Sequence, residues 1–484
     1  MGNNRAKLFL ENFLVYGLGS ILSKIAPLIM LPIVTRLMPD STYYGLSDLS
    51  NIAVSFGSAI AMMGMYDAMF RMFFDRDDLT YKKEVCSSAL NFVLISGLII
   101  CLVLFIFKAF FSEWIFNDKK YVDLLNVTSL SIFINTLSGI VVAPTRMQNK
   151  RRVFLITNTI SPIIGYGVSI PMLLNQNYLF ALPLGNLISS TIMLITFYIL
   201  NRKWFDFKKT SIKLIKEMLK IGVPLMPVFI IYWIFTSLDR LMISRQMGNT
   251  FVGIYGVGSR VASISQFIYT AFSQGWQYFA FSTMKDNDQV EMTSRIFEYL
   301  ALVSFSVFVV ITPFTHYIFS LLFEGDYVNG YLVFPYLFLS PLLLMLFQTI
   351  SNQFLVIKKT WPSTLILSVG AVINVILNYF LINNIGIEGA ALATLIGYSI
   401  SVIVAAIVLS KMKLIIISNR MKVMSLSVIL FTILWRMISP ISILPAIFIS
   451  ILTILIFFYL YRSDIIKSYK KLINILKHNN SINK

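Results

Sequence analysis

The sequence predicts an all-α polytopic membrane protein of about fourteen transmembrane helices: two six-helix lobes followed by two C-terminal helices. Three observations carry this. Of the 484 residues, 57% are hydrophobic and only 13% charged, with a mean hydropathy of +0.77; a soluble domain is nearer half apolar and a quarter charged. Apolar runs of about twenty residues, enough to cross a bilayer, recur along the whole length. The basic residues, which bring the net charge to +18, gather in alternate loops between those runs. That placement points to membrane topology and anionic lipid, not to nucleic acid.

In order, the candidate spans fall at 10–35, 43–66, 86–110, 122–145, 153–174, 179–200, 219–245, 251–281, 296–322, 330–357, 362–382, 387–410, 422–438 and 442–461. The first apolar run is too long for a signal peptide and lacks a small-residue cleavage site, so it reads as an uncleaved span. Alternate loops carry Arg5 and Lys7, then Arg71 to Lys83, Arg146 to Arg152, the segment "NRKWFDFKKTSIKLIKEMLK", Lys285 and Arg295, Lys358 and Lys359, Lys411 to Lys422, and the tail from Arg462. Together they hold 31 of the 40 basic residues, while the opposite loops are short and "NQN" at 175–177 has none. The positive-inside rule then predicts cytoplasmic N- and C-termini and an even number of spans. The divisions are an N-terminal lobe at 1–200, a basic amphipathic cytoplasmic connector at 201–218, a C-terminal lobe at 219–410, and the last two spans with a basic tail at 411–484. No Walker A motif appears, and no metal-ligand spacing. Cys86 and Cys101 lie fifteen residues apart in one predicted helix and read as buried small hydrophobes. No cofactor is expected.

An internal repeat supports two lobes. "TRLMPDSTYYGLSDLSNIAVSFGS" at 35–58 and "SRQMGNTFVGIYGVGSRVASISQ" at 244–266 share [ST]-R-x-M, a turn, then Gly and a new helix. Aligning Gly45 with Gly253 matches Asn51, Ser55 and Ser58 to Ser259, Ser263 and Gln266. At intervals of three or four residues each set makes one polar helix face. Two such faces at equivalent positions favour a hydrated cavity over helix-to-helix glue. A six-span repeat places both halves in the same orientation, with a site at their interface.

Charges inside the spans mark candidate functional positions, because each costs roughly 2.5–3.5 kcal/mol at the bilayer centre on insertion scales. Lys24 sits mid-way along span one, too far from either end to snorkel. Arg240 and Arg260 lie in spans seven and eight beside Asp239. Asp239 and Arg240 point about 100° apart on a helix, so they should not pair directly; the structural alternative pairs Asp239 with Arg260 or Lys24. Arg36 and Arg245 end spans one and seven at equivalent repeat positions, where interfacial anchoring is an equal alternative. Asp67 and Arg71, spaced i, i+4, form a local salt bridge by default. Glu298, Glu388 and His316 read as interfacial or helix-end groups. Asp239, Asp67 and Glu298 are the candidates for ion coupling. Pro27 and Pro32, and Pro224 and Pro227, would bend spans one and seven.

"DRLMISRQMGNTFVGIYGVGSRV" at 239–261 resembles the D-x-x-x-I…G-x-Y signature of polysaccharide biosynthesis flippases, and residues 16–49 look like the first two helices of the same family. The chain is similar to Wzx-type oligosaccharide flippases of the multidrug/oligosaccharidyl-lipid/polysaccharide superfamily. The resemblance implies a V-shaped two-lobed bundle that moves undecaprenyl-diphosphate-linked glycan (O-antigen, capsule or exopolysaccharide units) across a bacterial inner membrane. It implies a polymerase and chain-length machinery as partners, and a proton or sodium gradient as a driving force. Lys24, Arg240, Arg260, Arg36 and Arg245 would then meet the diphosphate, with Arg71 at the inward mouth. The rivals are a lipid II flippase, a drug exporter of the sister branch, and a membrane-embedded glycan polymerase or ligase. Span one offers Lys24 and no acid, which disfavours the exporter; no large outer loop exists to serve the polymerase.

Overall fold

The computed structural model describes residues 25–284, 286, 288–438 and 443–482, and these are helical with no strand. The helices are α1 (Ile25–Leu37), α2 (Ser41–Met62), α3 (Met65–Phe73), α4 (Leu79–Ile106), α5 (Lys108–Phe116), α6 (Val122–Met147), α7 (Arg151–Leu174) and α8 (Tyr178–Asn201). They continue with α9 (Ile212–Gly222), α10 (Met226–Trp233), α11 (Asp239–Met247), α12 (Asn249–Ala262), α13 (Ser265–Ser282), α14 (Gln289–Ile311), α15 (Thr315–Leu322), α16 (Phe334–Val356), α17 (Trp361–Ile385), α18 (Ile387–Lys411), α19 (Asn419–Ile438) and α20 (Ile443–Ile482). Among the described residues eleven helices are long and apolar enough to cross a membrane, and the pair α2–α3, bent by 49°, makes a twelfth. Two of the fourteen expected spans pass neither as a single helix nor as a bent pair. The span expected at 10–35 is described only from Ile25, and the one at 251–281 is broken between α12 and α13.

The loops carrying most of the basic residues lie at one end of the bundle, called here the basic end. Helices α2, α4, α6, α7 and α8 pack on one another, as do α11 to α14 and α16 to α18. These two groups meet chiefly where α2 crosses α12 at the opposite end. The crossing is backbone on backbone. A Cβ on Gly45 would lie 2.1 Å from the Asn249 carbonyl oxygen, and one on Gly253 would lie 2.0 Å from that of Ser41. Only glycine permits this approach. Around it the hydroxyls of Thr42 and Thr250 are 2.7 Å apart. Asn249 Nδ2 donates to the Phe116 carbonyl at 2.7 Å, and Asn117 Nδ2 to that of Ser244 at 3.1 Å. α2 itself starts sharply because the Asp40 carboxylate caps it, accepting from Thr42 N–H at 2.8 Å.

Towards the basic end the main neighbour of α13 is α16 of its own group. The amphipathic α9 does not float free. It buries Leu214 and Met218 against α3 and α4 while Lys213, Lys216 and Lys220 stay exposed. Ser87 and Ser88 on α4 accept from the backbone N–H of Asp206 and Ser211 at 2.8 and 2.9 Å.

Two ionic clusters hold α19 and α20 to the second group. Glu388 on α18 is buried, takes both arms of the Arg436 guanidinium and accepts from Tyr336 Oη at 2.8 Å. Glu298 on α14 is also buried. It accepts from Tyr461 Oη at 2.7 Å beside Arg420, which pairs with Asp464 at 2.8 Å. Glu388 lies in the first turn of α18, at a helix end as its place in the sequence suggested, whereas Glu298 lies inside α14.

The glycine crossing makes a checkable claim. In a background lacking Cys86 and Cys101, Thr42→Cys with Thr250→Cys should cross-link readily under mild oxidation. Adding Gly253→Leu should suppress the cross-link at least several-fold while the protein still inserts, as measured by gel shift.

Candidate functional site

Span seven places the central charges. It runs as α9, a 3₁₀ turn at Val223–Leu225 where Pro224 sits, α10, a π-helical turn at Ile234–Leu238, then α11. Such π turns are rare and gather at functional sites. Asp239 and Arg240 follow immediately.

Arg240 crosses to the other group of helices. Its Nε stands 2.7 Å from Asp48 Oδ2 on α2, with both side chains about one-eighth exposed (12% and 13%). Nη2 donates to Ser259 Oγ at 2.7 Å, Nη1 donates to the Thr236 carbonyl, and the guanidinium lies 5.5 Å from the centre of the Tyr255 ring. Gly256 makes room for this: a Cβ there would stand 3.0 Å from Asp48 Oδ2. Asp239 and Arg240 are in contact after all, at 3.7 Å between Oδ1 and Nη1, and Asp239 Oδ1 also accepts the Arg240 backbone N–H at 2.8 Å. The other Asp239 oxygen accepts from Tyr255 Oη. So Asp239 does not pair with Arg260, and Arg240 is not an unpaired cation.

Arg260, at the end of α12, makes no ion pair among the described residues. It is open to a cavity of about 400 Å³ whose other walls come from α1, α2, α6, α7 and α8. Asp48, Asn51, Asn135, Asn186 and Tyr166 line it, together with serines of α7 and α8. Asn186 Nδ2 donates to Asn51 Oδ1 at 3.2 Å. Tyr44 is within hydrogen-bonding reach of Arg260, and Asp48 and Tyr166 also act on its charge. Among the described residues the cavity is lined by one acid, Asp48, and one base, Arg260; Asp239 and Arg240 lie outside its lining, and Lys24 lies outside the described residues.

The remaining candidates are dispersed. Arg36 is exposed and pairs with Glu324 at 3.2 Å, and Arg245 donates to the Trp114 carbonyl at 3.0 Å. Both bridge the two groups at the end opposite the basic loops. Asp67 and Arg71 are exposed on α3 and form no ion pair with each other; Arg146 is the cation near Asp67. Of the polar stripes, Asn51 faces the cavity and Ser259 holds Arg240. Ser58 is buried and donates to the Ile132 carbonyl on α6 at 3.2 Å, which is packing. Ser55 and Ser263 bond to carbonyls of their own turns at 2.8 and 2.6 Å, and Gln266 is half-buried on α13.

A polar set that sequence reading passed over adjoins Asp239. Tyr255 Oη lies within hydrogen-bonding reach of Thr394 on α18 as well as Asp239. Asn374 Nδ2 on α17 donates to Thr394 Oγ1 at 3.1 Å. Asn374 Oδ1 and both amide atoms of Asn378 are buried without a partner. The signal was present as two Asn four residues apart within an apolar run. No group of three or more His, Cys, Asp or Glu is placed to hold a metal among the described residues.

These features define a class: a multi-pass helical membrane protein with the transporter fold of the multidrug/oligosaccharidyl-lipid/polysaccharide superfamily. Its structure is similar to that of the lipid II flippase MurJ in an inward closed conformation (TM-score 0.71, 20% identity, covering 93% of this chain and 100% of that one). It is also similar to an inward-facing multidrug resistance MATE family transporter (0.59, 16%, 81% and 98%) and to a superfamily transporter from Pyrococcus furiosus (0.56, 16%, 84% and 95%). At these identities the likeness is one of fold. No curated protein matches the sequence. The family model for polysaccharide biosynthesis proteins matches residues 33–328, and the chain belongs to that family.

The two arginines should behave differently. Arg240→Gln leaves Asp48 buried and unpaired, which should cost on the order of 3 kcal/mol and lower the melting temperature in detergent; adding Asp48→Asn should recover most of it. Arg260→Gln should leave the melting temperature within a degree or two of the parent.

Proposed function

We propose that the protein is a flippase that moves polyprenyl-diphosphate-linked oligosaccharide across a bacterial cytoplasmic membrane by alternating access. The observation that carries the reading is Arg260, a guanidinium that has no carboxylate partner among the described residues and is open to a polar cavity walled mainly by the first group of helices. Such a group is costly in a membrane unless it meets an anion, and a guanidinium matches phosphate oxygens in a bidentate fork. Membership in a polysaccharide biosynthesis family supplies the matching cargo. The cavity would shelter sugar and diphosphate while the polyprenyl chain stays in lipid, sparing the cost of several kcal/mol for each unsatisfied polar group in hydrocarbon. Binding and rearrangement suffice; no bond of the substrate need be made or broken.

Asp239 is the group best placed to couple transport to an ion. Its carboxylate, the hydroxyls of Tyr255 and Thr394 and the unpartnered amides of Asn374 and Asn378 are hard oxygen donors of the kind that hold an alkali cation or a proton. They adjoin Arg240, so an ion bound there would bias the Asp48–Arg240 bridge. Both termini and the α9 connector face the cytoplasm on this reading.

The decisive experiment follows surface glycan in cells dependent on this protein. The Thr42→Cys/Thr250→Cys cross-link should arrest display, and reductant should restore it. Arg260→Gln should reduce display at least ten-fold at unchanged protein level. Normal display by the cross-linked protein would overturn alternating access, and normal display by Arg260→Gln would overturn diphosphate binding at Arg260. Reporters fused at Asn177 and Lys209 should report opposite sides of the membrane. In proteoliposomes, Asp239→Asn should abolish the dependence of transport on a sodium or proton gradient.

A further inference from the structure

The second group of helices holds its own cavity, of about 420 Å³, between spans seven, eight, ten and eleven. Counted along the chain, these correspond to spans one, two, four and five, which line most of the Arg260 cavity. Its chemistry is different. Among the described residues no Asp, Glu, Lys or Arg lines it. Its walls are aromatic rings and neutral hydrogen-bonding groups.

Phe272 and Trp276 on α13 stack with ring centres 5.6 Å apart. Gln348 on α16 is held between two phenols: its Oε1 accepts from Tyr269 Oη at 2.8 Å, and its Nε2 donates to Tyr232 Oη at 3.1 Å. The amide is thereby fixed in orientation, with one N–H and one lone pair unused. Ser351 Oγ, one turn further along α16, is buried and has no partner. Leu355 and Ser363 close the lining on either side of the basic loop at Lys358 and Lys359, so the cavity's mouth is at the basic end.

We propose that this cavity is the oligosaccharide subsite of the flippase, binding the sugars nearest the diphosphate. This rests on the flippase reading and assigns the glycan a place that the reading left open. Aromatic faces cover the apolar C–H faces of pyranose rings, and a fixed amide and a hydroxyl serve ring hydroxyls. An uncharged wall gives a diphosphate nothing, so the two cavities divide the head group by charge. The volume is within the roughly 300–1,000 Å³ of small-molecule pockets.

The test uses the full-length protein in nanodiscs and two probes: geranylgeranyl diphosphate, and a polyprenyl diphosphate bearing an N-acetylhexosamine disaccharide. Gln348→Leu and Ser351→Ala should each weaken binding of the glycosylated probe about ten-fold and leave the bare diphosphate within two-fold. Arg260→Gln should weaken both probes alike. Ser351→Ala removes one buried oxygen and keeps the proposal testable if Gln348→Leu disturbs folding. Equal weakening of both probes by the Gln348 and Ser351 variants, or no weakening of either, would overturn the sugar subsite and leave the flippase reading standing. Failure of the unmodified protein to bind either probe would overturn both.

Discussion

The contact of Gly45 with Gly253 sets the geometry of everything around it. Because neither residue carries a Cβ, α2 and α12 meet backbone to backbone. That approach brings Asp48, less than one turn along α2, within ion-pairing distance of Arg240, and it carries Arg260 into the wall of the opposite group's cavity. A larger residue at either glycine would force the helices apart and stretch these polar contacts. The closed end and the central charge cluster are thus consequences of one packing constraint.

The cluster resolves the apparent extravagance of four charges in the middle of a bilayer. Asp48 and Asp239 balance Arg240 and Arg260 in number, but not in geometry. Arg240 is fully engaged by Asp48, Ser259, Thr236 and the Tyr255 ring, while Arg260 keeps its fork for the cavity. The bridge joins the two groups of helices, so anything that weakens it also weakens the closed end. A ligand anion at Arg260 and a cation at Asp239 would each act on the same bridge from opposite sides, which is the differential interaction that a conformational change requires.

The last two helices are held by charge as well as by apolar packing. Glu388 with Arg436, and Glu298 with Arg420 and Tyr461, sit at opposite ends of the second group. Each leaves a buried carboxylate that would be costly if α19 or α20 moved away. These helices therefore travel with the second group in any rocking motion.

The sequence by itself determined the class of protein: apolar runs of bilayer length and the asymmetry of basic loops marked a multi-pass membrane protein, and the D-x-x-x-I…G-x-Y stretch lies within the match to the polysaccharide biosynthesis family. It also singled out Asp239, Arg240 and Arg260 among its candidate charges, because intramembrane charges are conspicuous by their cost. It could not assign their partners. Helical periodicity places Asp239 and Arg240 on different faces, but the Asp239 carboxylate folds onto the Arg240 backbone N–H and guanidinium, and the partner of Arg240 lies 192 residues away on α2. Likewise the repeat pointed to Gly45 and Gly253 as equivalent, yet not to their touching. The neutral amides of Asn374, Asn378 and Gln348 look like ordinary polar residues until folding buries them or sets them in a cavity wall. Pairing across the two groups, and the depth at which each polar atom is left without a partner, are properties of three-dimensional packing, and only the tertiary structure decided them.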